Sequence, residues 1–252
     1  MSSRKAKRAE FIFVFVMVVA SLWQTAPAAL AILPAHGPNL GIQNDTSTSC
    51  TLADSLFLLR SNPKERIDAQ VQISNLSDKI SHLEDPSFIT PELDMSKISA
   101  EKRDLIERAL SMSRLHVLAS LLTRRGTLLA VIGETDKAIA DLGEALDSDN
   151  NYAPAYNNRA CLKASGGDFE GALADATKAL NISPNFAEAY DTRGSVYLAK
   201  KQYLKAQKDF DRAIATRPAY AEAFYHRSLL MKALGKHDDY AADLKKAKEL
   251  GY

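Results

Sequence analysis

The residues of this chain that could do chemistry are few, and most of them lie far apart. Its 252 residues include two cysteines and five histidines, and neither set has the spacing of a metal-binding motif. They are Cys50 and Cys161, and His36, His82, His116, His226 and His237. No glycine-rich phosphate loop, nucleophile elbow or paired-carboxylate arrangement of the kind used in acid–base catalysis stands out. We therefore expect a protein that is not an enzyme and that needs no metal and no cofactor.

Arginine and aspartate, by contrast, recur at a fixed interval. An Arg occurs every 34 residues, and an Asp follows each of these arginines 16 positions later. The residues are Arg125, Arg159, Arg193 and Arg227, followed by Asp141, Asp175, Asp209 and Asp243. If each Arg and its Asp lie on facing helices, they predict four structural ion pairs, because a charge taken out of water needs a partner. A charged ladder that binds another molecule is the alternative.

The apolar residues of the C-terminal half recur at the same interval of 34 residues. Four rows on a 34-residue period, 119–152, 153–186, 187–220 and 221–252, carry the same residue types in the same columns. Columns 4, 7, 8 and 11 share one face of a first helix, and columns 20, 24 and 27 share one face of a second helix. Each row therefore predicts two helices joined by a turn. The rows must stack, because no such hairpin buries its apolar stripe alone.

These columns resemble the tetratricopeptide repeat, with a large residue at column 4, a small one at column 8 and Ala at columns 20 and 27. The central rows match best and close with Pro184 and Pro218. The resemblance implies an all-α fold, a right-handed α-solenoid of about four repeats preceded by one to three flanking helices. Gly133, Gly167 and Gly235 stand in column 15, where the first helix is expected to end. Column 7 departs from the family, which usually has Leu where this chain has Arg.

The resemblance also implies where a partner would bind. Members of the family usually hold a peptide or a helix in a concave groove lined by the first helices, including columns 5 and 9. Those columns give the candidate partner-binding residues Thr123, Thr127, Asn157, Cys161, Asp191, Ser195, Tyr225 and Leu229. We expect a non-catalytic adaptor that binds a protein or peptide, whose identity the sequence does not give. That these are only solvated or inter-hairpin positions is the alternative.

Residues 1–31 have the pattern of a targeting segment. Four basic residues precede an apolar run at 11–23, and small residues follow it. This order predicts a secretory signal peptide. A signal anchor over residues 11–33 is the alternative, since a bilayer-spanning helix needs about 20 residues. Either way we expect an exported bacterial protein, periplasmic or outward-facing on the inner membrane.

Three regions follow the targeting segment. Residues 32–50 predict a flexible tether, residues 51–98 a helical N-terminal region, and residues 99–252 the repeat domain. Within 63–84 an apolar stripe predicts one helix, formed by Ala69, Ile73, Leu76, Ile80 and Leu83. This helix either caps the front of the array or forms a self-association seam, which would make the protein a self-assembling module anchored at the membrane. A further helix is expected from Ser99, with Leu105, Ile106, Ala109 and Leu110 facing inward.

The charge of the chain restricts the kinds of partner we expect, and its cysteines raise the question of a disulfide. The net charge is +1 and no basic stripe with interleaved aromatics follows the targeting segment, so we do not expect nucleic acid as a partner. Cys161 falls within a first helix, and we expect a buried free thiol there. A disulfide with Cys50 is the alternative for an exported protein.

Overall fold

The computed structural model describes residues 63–84 and 99–252. The chain divides into two compact units, Met1–Asp45 and Thr46–Tyr252, and all described residues belong to the second. The targeting segment, the possible anchor at 11–33, the tether at 32–50 and Cys50 lie outside the described residues.

Within the described ranges the chain forms nine α-helices and no strand. They are α1 Pro63–Glu84, α2 Ala100–Val131, α3 Thr135–Ser148, α4 Ala153–Ser165, α5 Phe169–Ile182, α6 Ala187–Ala199, α7 Tyr203–Thr216, α8 Ala221–Ala233 and α9 His237–Glu249. The C-terminal part of α2 pairs with α3, and then α4 with α5, α6 with α7 and α8 with α9. Each hairpin packs on the next, so the predicted all-α solenoid of helix–turn–helix repeats is confirmed.

Column 15 ends each first helix with a residue of positive φ. Gly133, Gly167 and Gly235 take φ values of 91°, 85° and 72° there, as the sequence predicts. The third row has no glycine in this column, and Lys201 adopts φ 57° instead. A left-handed conformation costs a residue with a side chain about 1–2 kcal/mol, so stacking must hold this turn against its local preference.

Small and large side chains alternate across each hairpin. Phe210 of α7 lies against Gly194 of α6, and a Cβ on Gly194 would come within 2.8 Å of the Phe210 ring. In the preceding row the same two columns hold Ala160 and Ala176, and both are fully buried. Both rows therefore keep a small residue in column 8, where the facing helix lies close.

The helix expected from Ser99 is not separate from the first repeat. It continues through Val131 as α2, a helix of 32 residues, because no proline or turn sequence interrupts it before Gly133. Ser99 stands at the N-cap, but its side chain makes no capping hydrogen bond. Leu105 is exposed, which corrects the expectation that it faces inward, whereas Ile106 is buried. The first part of α2 precedes the residues that pair with α3, a helix of only 14 residues, which leaves Leu105 without cover from that hairpin.

Helix α1 packs on α2 in front of the first hairpin. Ala69 and Leu76 form a buried cluster with Leu128 of α2, and Ile80 joins the larger core around Leu122. The apolar stripe of α1 is therefore buried within the chain, as a front cap requires.

None of the described helices has the length and apolar character needed to cross a bilayer.

Candidate partner-binding site

Four ion pairs hold the hairpins that carry the candidate site. In every row the guanidinium of the column 7 Arg donates two hydrogen bonds to the carboxylate of the column 23 Asp. The eight distances lie between 2.6 and 2.8 Å, for Arg125 with Asp141, Arg159 with Asp175, Arg193 with Asp209 and Arg227 with Asp243. Two-point contacts of this kind fix both the spacing and the rotation of one helix against the other.

Neighbouring side chains further restrict the positions of these arginine side chains. The guanidinium of Arg159 lies 5.6 Å from the ring of Tyr156, and Arg193 and Arg227 lie similarly over the aromatic residue of their own column 4. Arg125 has no aromatic residue there, since its column 4 is Leu122, and it donates instead to Ser77 Oγ of α1 at 3.3 Å. The first pair thereby links the front cap to the array.

The pKa values of Arg159, Arg193 and Asp175 shift in the direction that favours the ionised pairs. The hydrogen bonds that Arg159 and Arg193 donate to their paired aspartates raise the pKa of each arginine above the ordinary value. Burial alone would raise the pKa of Asp175, but hydrogen bonds from Arg159 and from Lys163, whose Nζ lies 2.8 Å from Oδ2, bring it below its usual value. Asp175 therefore stays ionised although its side chain is almost fully buried.

The candidate residues lie on the first helices of the hairpins, and these helices pack side by side. The C-terminal part of α2, then α4, α6 and α8 each pack on the first helix of the next hairpin. We call the columns 2, 5, 6 and 9 of these four helices the inner face. Of the predicted residues, Asn157 and Asp191 are 0% exposed, Cys161 is 2% and Thr123 is 5% exposed. The others, Thr127, Ser195, Tyr225 and Leu229, are half-buried.

Several inner-face side chains bind one another between hairpins. Asn158 Nδ2 donates to Thr127 Oγ1 at 3.1 Å, and Cys161 Sγ lies 3.4 Å from Thr192 Oγ1. Thr127 also donates back to the carbonyl of Thr123 at 2.9 Å. The structure thus brings Thr127 and Cys161 into inter-hairpin contacts made through column 6. Sequence reasoning missed that column, although its residues in the last three rows, Asn158, Thr192 and His226, are all polar.

A second group of polar side chains joins the third and fourth hairpins. Nδ1 of His226 donates to Asp191, 2.9 Å from either carboxylate oxygen, and the Tyr220 hydroxyl lies 3.5 Å from Oδ2. Asp191 is fully buried, so His226 supplies the near donor that a buried carboxylate requires. The ring of Tyr225 packs against His226 with centroids 5.6 Å apart and stacks on Tyr252 at 4.1 Å.

Two buried polar atoms on α6 have hydrogen-bonding capacity that the described residues leave unused. Glu188 accepts from Arg217 through Oε1, while its Oε2 has no partner in the described part of the chain. The same holds for Ser195 Oγ, two helical turns further along the same face. Glu188 occupies column 2 and Ser195 column 9, both columns of the predicted groove. Buried polar atoms without a partner are uncommon in folded proteins, and each calls for an explanation.

The oxidation state of Cys161 differs from the one predicted from the sequence. Its sulfur is disulfide-bonded, so the prediction of a free buried thiol is wrong. The thiol was predicted because an apolar helix position usually keeps a cysteine reduced and inert. The other cysteine of the sequence, Cys50, lies outside the described residues.

The repeats match a known family, and the folds match known structures. The family model for the tetratricopeptide repeat matches residues 153–186 and 187–220, the two central rows. A thermophilic TPR protein of Thermus thermophilus is 23% identical, with a TM-score of 0.50 over 53% of this chain and 74% of that one. Its identity is low enough that the likeness shows the fold alone.

Two further solved structures are similar over a comparable part of the chain. MamA is 21% identical over 60% of this chain and 87% of its own, with a TM-score of 0.46. The first TPR of Spaghetti (RPAP3), bound to an HSP90 peptide, is 25% identical over 48% and 95%, with a TM-score of 0.45. The chain matches no curated protein. The two central rows therefore match the tetratricopeptide repeat, and the array has the helix–turn–helix fold of that repeat.

Proposed function

We propose that this protein is a non-catalytic adaptor whose inner face binds a peptide or helix. The observation that carries the proposal is the unused capacity of Glu188 Oε2 and Ser195 Oγ on one face of α6. Both atoms can accept hydrogen bonds, and an extended peptide offers a backbone N–H at every second residue on one side. A peptide laid along α6 would supply the donors that these atoms lack.

The neighbouring hairpin supplies apolar contacts for the same ligand. Tyr225 and Leu229 of α8 are half-buried and lie one hairpin beyond Asp191 and Ser195 in the same columns. An apolar side chain of a bound peptide would gain about 25 cal/mol for each Å² that it buries against them. The inner face therefore combines polar groups that orient a backbone with an apolar end that anchors a side chain, the usual composition of a binding site.

Capture of partners from an envelope extract of the source cells tests the proposal. Asn157→Ala combined with Ser195→Ala removes two uncharged inner-face side chains and leaves all ion pairs intact. Lys178→Ala combined with Lys208→Ala is the matched control, because both lysines are exposed on second helices. We expect the first variant to capture less of one defined partner while its helical content, measured by circular dichroism, stays that of wild type. Equal capture by both variants would exclude the inner face.

We also propose that the protein acts outside the cytosol, in the periplasm or on the outward face of the inner membrane. The charge and hydropathy pattern of residues 1–31 supports export, and the disulfide at Cys161 supports an oxidising compartment. The only tryptophan of the chain, Trp23, lies within the targeting segment. Mature protein without tryptophan fluorescence indicates cleavage, whereas retained fluorescence in the membrane fraction indicates an anchor.

Self-assembly is the second candidate function. The outer face of α9 carries a shallow depression lined by Tyr240, Ala241 and Leu244, with Lys245 and Lys248 beside it. An exposed apolar surface on a helix is a natural contact for another copy. The stripe of α1 is already buried against α2, so the depression on α9 is the better site. Light scattering over a concentration series, repeated with Leu244→Glu, measures this association directly.

A further inference from the structure

The turns inside the last two hairpins carry two exposed leucines and several lysines. Leu204, near the start of α7, is 86% exposed, and Leu234, at the end of α8, is 38% exposed. They stand in columns 18 and 14 of successive rows. We call columns 14–19 of the third and fourth rows, residues 200–205 and 234–239, the lysine edge. Its four lysines are Lys200, Lys201, Lys205 and Lys236.

The turns of all four rows share one backbone structure, so equivalent columns occupy equivalent places. In each turn the N–H of column 16 donates to the carbonyl of column 11 at 2.8 or 2.9 Å, from Glu134, Asp168, Gln202 and Lys236. Column 18 of the second turn contacts column 14 of the third, because Glu170 and Lys200 form an ion pair. One row later the same two columns hold Leu204 and Leu234. The repeat therefore brings these leucines together where an ion pair joins the previous two turns.

Two of the lysines stand where local structure disfavours them. Lys201 takes φ 57°, the left-handed conformation that glycine adopts in the other three rows. Lys236 is the N-cap of α9, beside the positive end of the helix dipole, and its side chain makes no capping hydrogen bond. In the second row the same column holds Asp168, which caps α5 by accepting from Gly171 N–H. Departures from local preference of this kind are expected at functional surfaces.

The charge of the turns changes sign along the array. Over columns 14–19 the first two rows hold four acidic residues and one lysine, Glu134, Asp136, Lys137, Asp168 and Glu170. The last two rows hold the four lysines and only two acidic residues, Asp238 and Asp239. Lys201, Lys205 and Lys236 are exposed. The exposed leucines therefore coincide with the basic part of this edge.

A protruding apolar side chain among lysines suits a flat anionic surface. The apolar stems of the lysines can lie along the boundary of a lipid layer while their ammonium groups contact the headgroups. Each basic residue near an anionic membrane strengthens binding by about fivefold. Each leucine that leaves water for the apolar layer adds about tenfold. Tyr203 packs on the buried cluster of Phe210 and Leu230, so the core supports the turn that carries Leu204.

We propose that the lysine edge binds an anionic lipid membrane, with Leu204 and Leu234 inserted below the headgroups. This function is separate from peptide binding, because the inner face consists of columns 2, 5, 6 and 9 and the lysine edge of columns 14–19. Both surfaces can be engaged at the same time. The array can therefore hold a partner beside a membrane.

Hydrogen–deuterium exchange of the full chain, measured by mass spectrometry with and without vesicles, tests the proposal. The vesicles contain phosphatidylcholine alone or an equal mixture of phosphatidylcholine and phosphatidylglycerol. We expect the mixed vesicles to slow amide exchange at 200–205 and 234–239 and to leave the inter-hairpin turns at 183–186 and 217–220 unchanged. Phosphatidylcholine alone should slow exchange far less, as should the mixture in 1 M salt, where the Debye length is about 3 Å.

A double lysine variant tests the electrostatic part. Lys201→Gly with Lys236→Gln should reduce the slowing by up to about 25-fold, or about fivefold for each lysine. The matched control is Lys178→Gln with Lys246→Gln, which removes the same charge from two exposed positions in column 26 of the second helices. We expect this control to behave as wild type.

A double leucine variant tests insertion. Leu204→Ser with Leu234→Ser should abolish the slowing by the mixed vesicles. Leu105→Ser with Leu115→Ser is the matched control, because both leucines of α2 are 43% exposed and lie outside the lysine edge. Every variant keeps residues 1–31, so any membrane binding by that segment is common to all of them.

Three results obtained with wild type would overturn the proposal, whether or not the variants fold. No slowing by mixed vesicles excludes lipid and leaves an acidic protein as the occupant of the edge. Equal slowing by both kinds of vesicle that persists in high salt shows that the lysines have no part in binding. Slowing that increases with protein concentration in the absence of vesicles shows that a second copy of the chain covers the edge instead.

Discussion

The Arg193–Asp209 pair offers the strongest test of how the hairpins are held in register. Asp209 has a side chain that is 6% exposed, and both of its oxygens accept from Arg193 at 2.8 Å. Arg193→Ala leaves this buried carboxylate without its partner, which typically costs about 3–5 kcal/mol. For an array of this size each kcal/mol lowers the melting temperature by about 2–4 °C. We therefore expect a decrease of roughly 6–20 °C, measured by circular dichroism at 222 nm.

The double variant Arg193→Leu with Asp209→Leu distinguishes a lost partner from lost packing. It removes the buried charge together with its partner, and apolar replacements of buried pairs are often neutral or stabilising. We expect it to recover much of the loss seen in Arg193→Ala. Arg108→Ala is the matched control, because Arg108 pairs with Asp104 on the surface and its side chain is 74% exposed. Exposed pairs contribute about 0–1 kcal/mol. Damage in the double variant that equals the sum of the single variants would refute the reasoning.

Three further predictions concern packing, turn conformation and pH. Gly194→Ala places a Cβ 2.8 Å from the Phe210 ring and should cost about 1–3 kcal/mol, whereas adding Phe210→Ala should cost less than the two single changes together in a double-mutant cycle; additive costs contradict this. Lys201→Gly should raise the free energy of unfolding by about 0.5–1 kcal/mol, because it relieves a positive φ, while Lys200→Gly, at φ −80°, should lower it. Asp175 has a pKa below its ordinary value, so its contribution to stability is complete above the unfolded pKa of about 3.9 and disappears as the pH falls through the folded pKa. Urea denaturation should therefore show a gap between wild type and Asp175→Asn that is constant above about pH 5 and narrows in acid; a gap that widens in acid contradicts this.

The 34-residue period predicted the hairpins because the residues of each column serve the same structural role in every row. Gly133 and Gly167 end helices where a side chain would be strained, and Ala172 and Ala206 permit close approach. Lys201 shows the limit of that inference. Its turn is left-handed like the others, but no local property of lysine indicates it, and only the stacking of the neighbouring hairpins determines its φ.

The candidate site was less predictable, because its residues act between hairpins rather than within one. Column 6 was not predicted as part of the site, because its residues Asn158, Thr192 and His226 are all polar but carry different functional groups. Each of them contacts a different residue of a neighbouring hairpin. The disulfide at Cys161 could be given from the sequence only as an alternative, because the separation of two cysteines along a chain does not determine their distance in space. Contacts of this kind depend on how the units are stacked, which the period alone does not specify.

The difference between contacts within a hairpin and contacts between hairpins also explains why the fold is evident from the sequence while the partner is not. Ala at column 27 and the Asp of each Arg–Asp pair are buried within each hairpin, so they repeat because each hairpin must close in the same way. Inner-face positions have no such constraint, and they vary from Thr123 through Asn157 and Asp191 to Tyr225 along a single column. Because a difference in affinity requires differences in contact, specificity must reside in the columns that do not repeat. Glu188 Oε2 and Ser195 Oγ, the inner-face atoms on which the proposed function rests, lie on α6, so a partner that binds this face specifically should lose most affinity when that helix is altered.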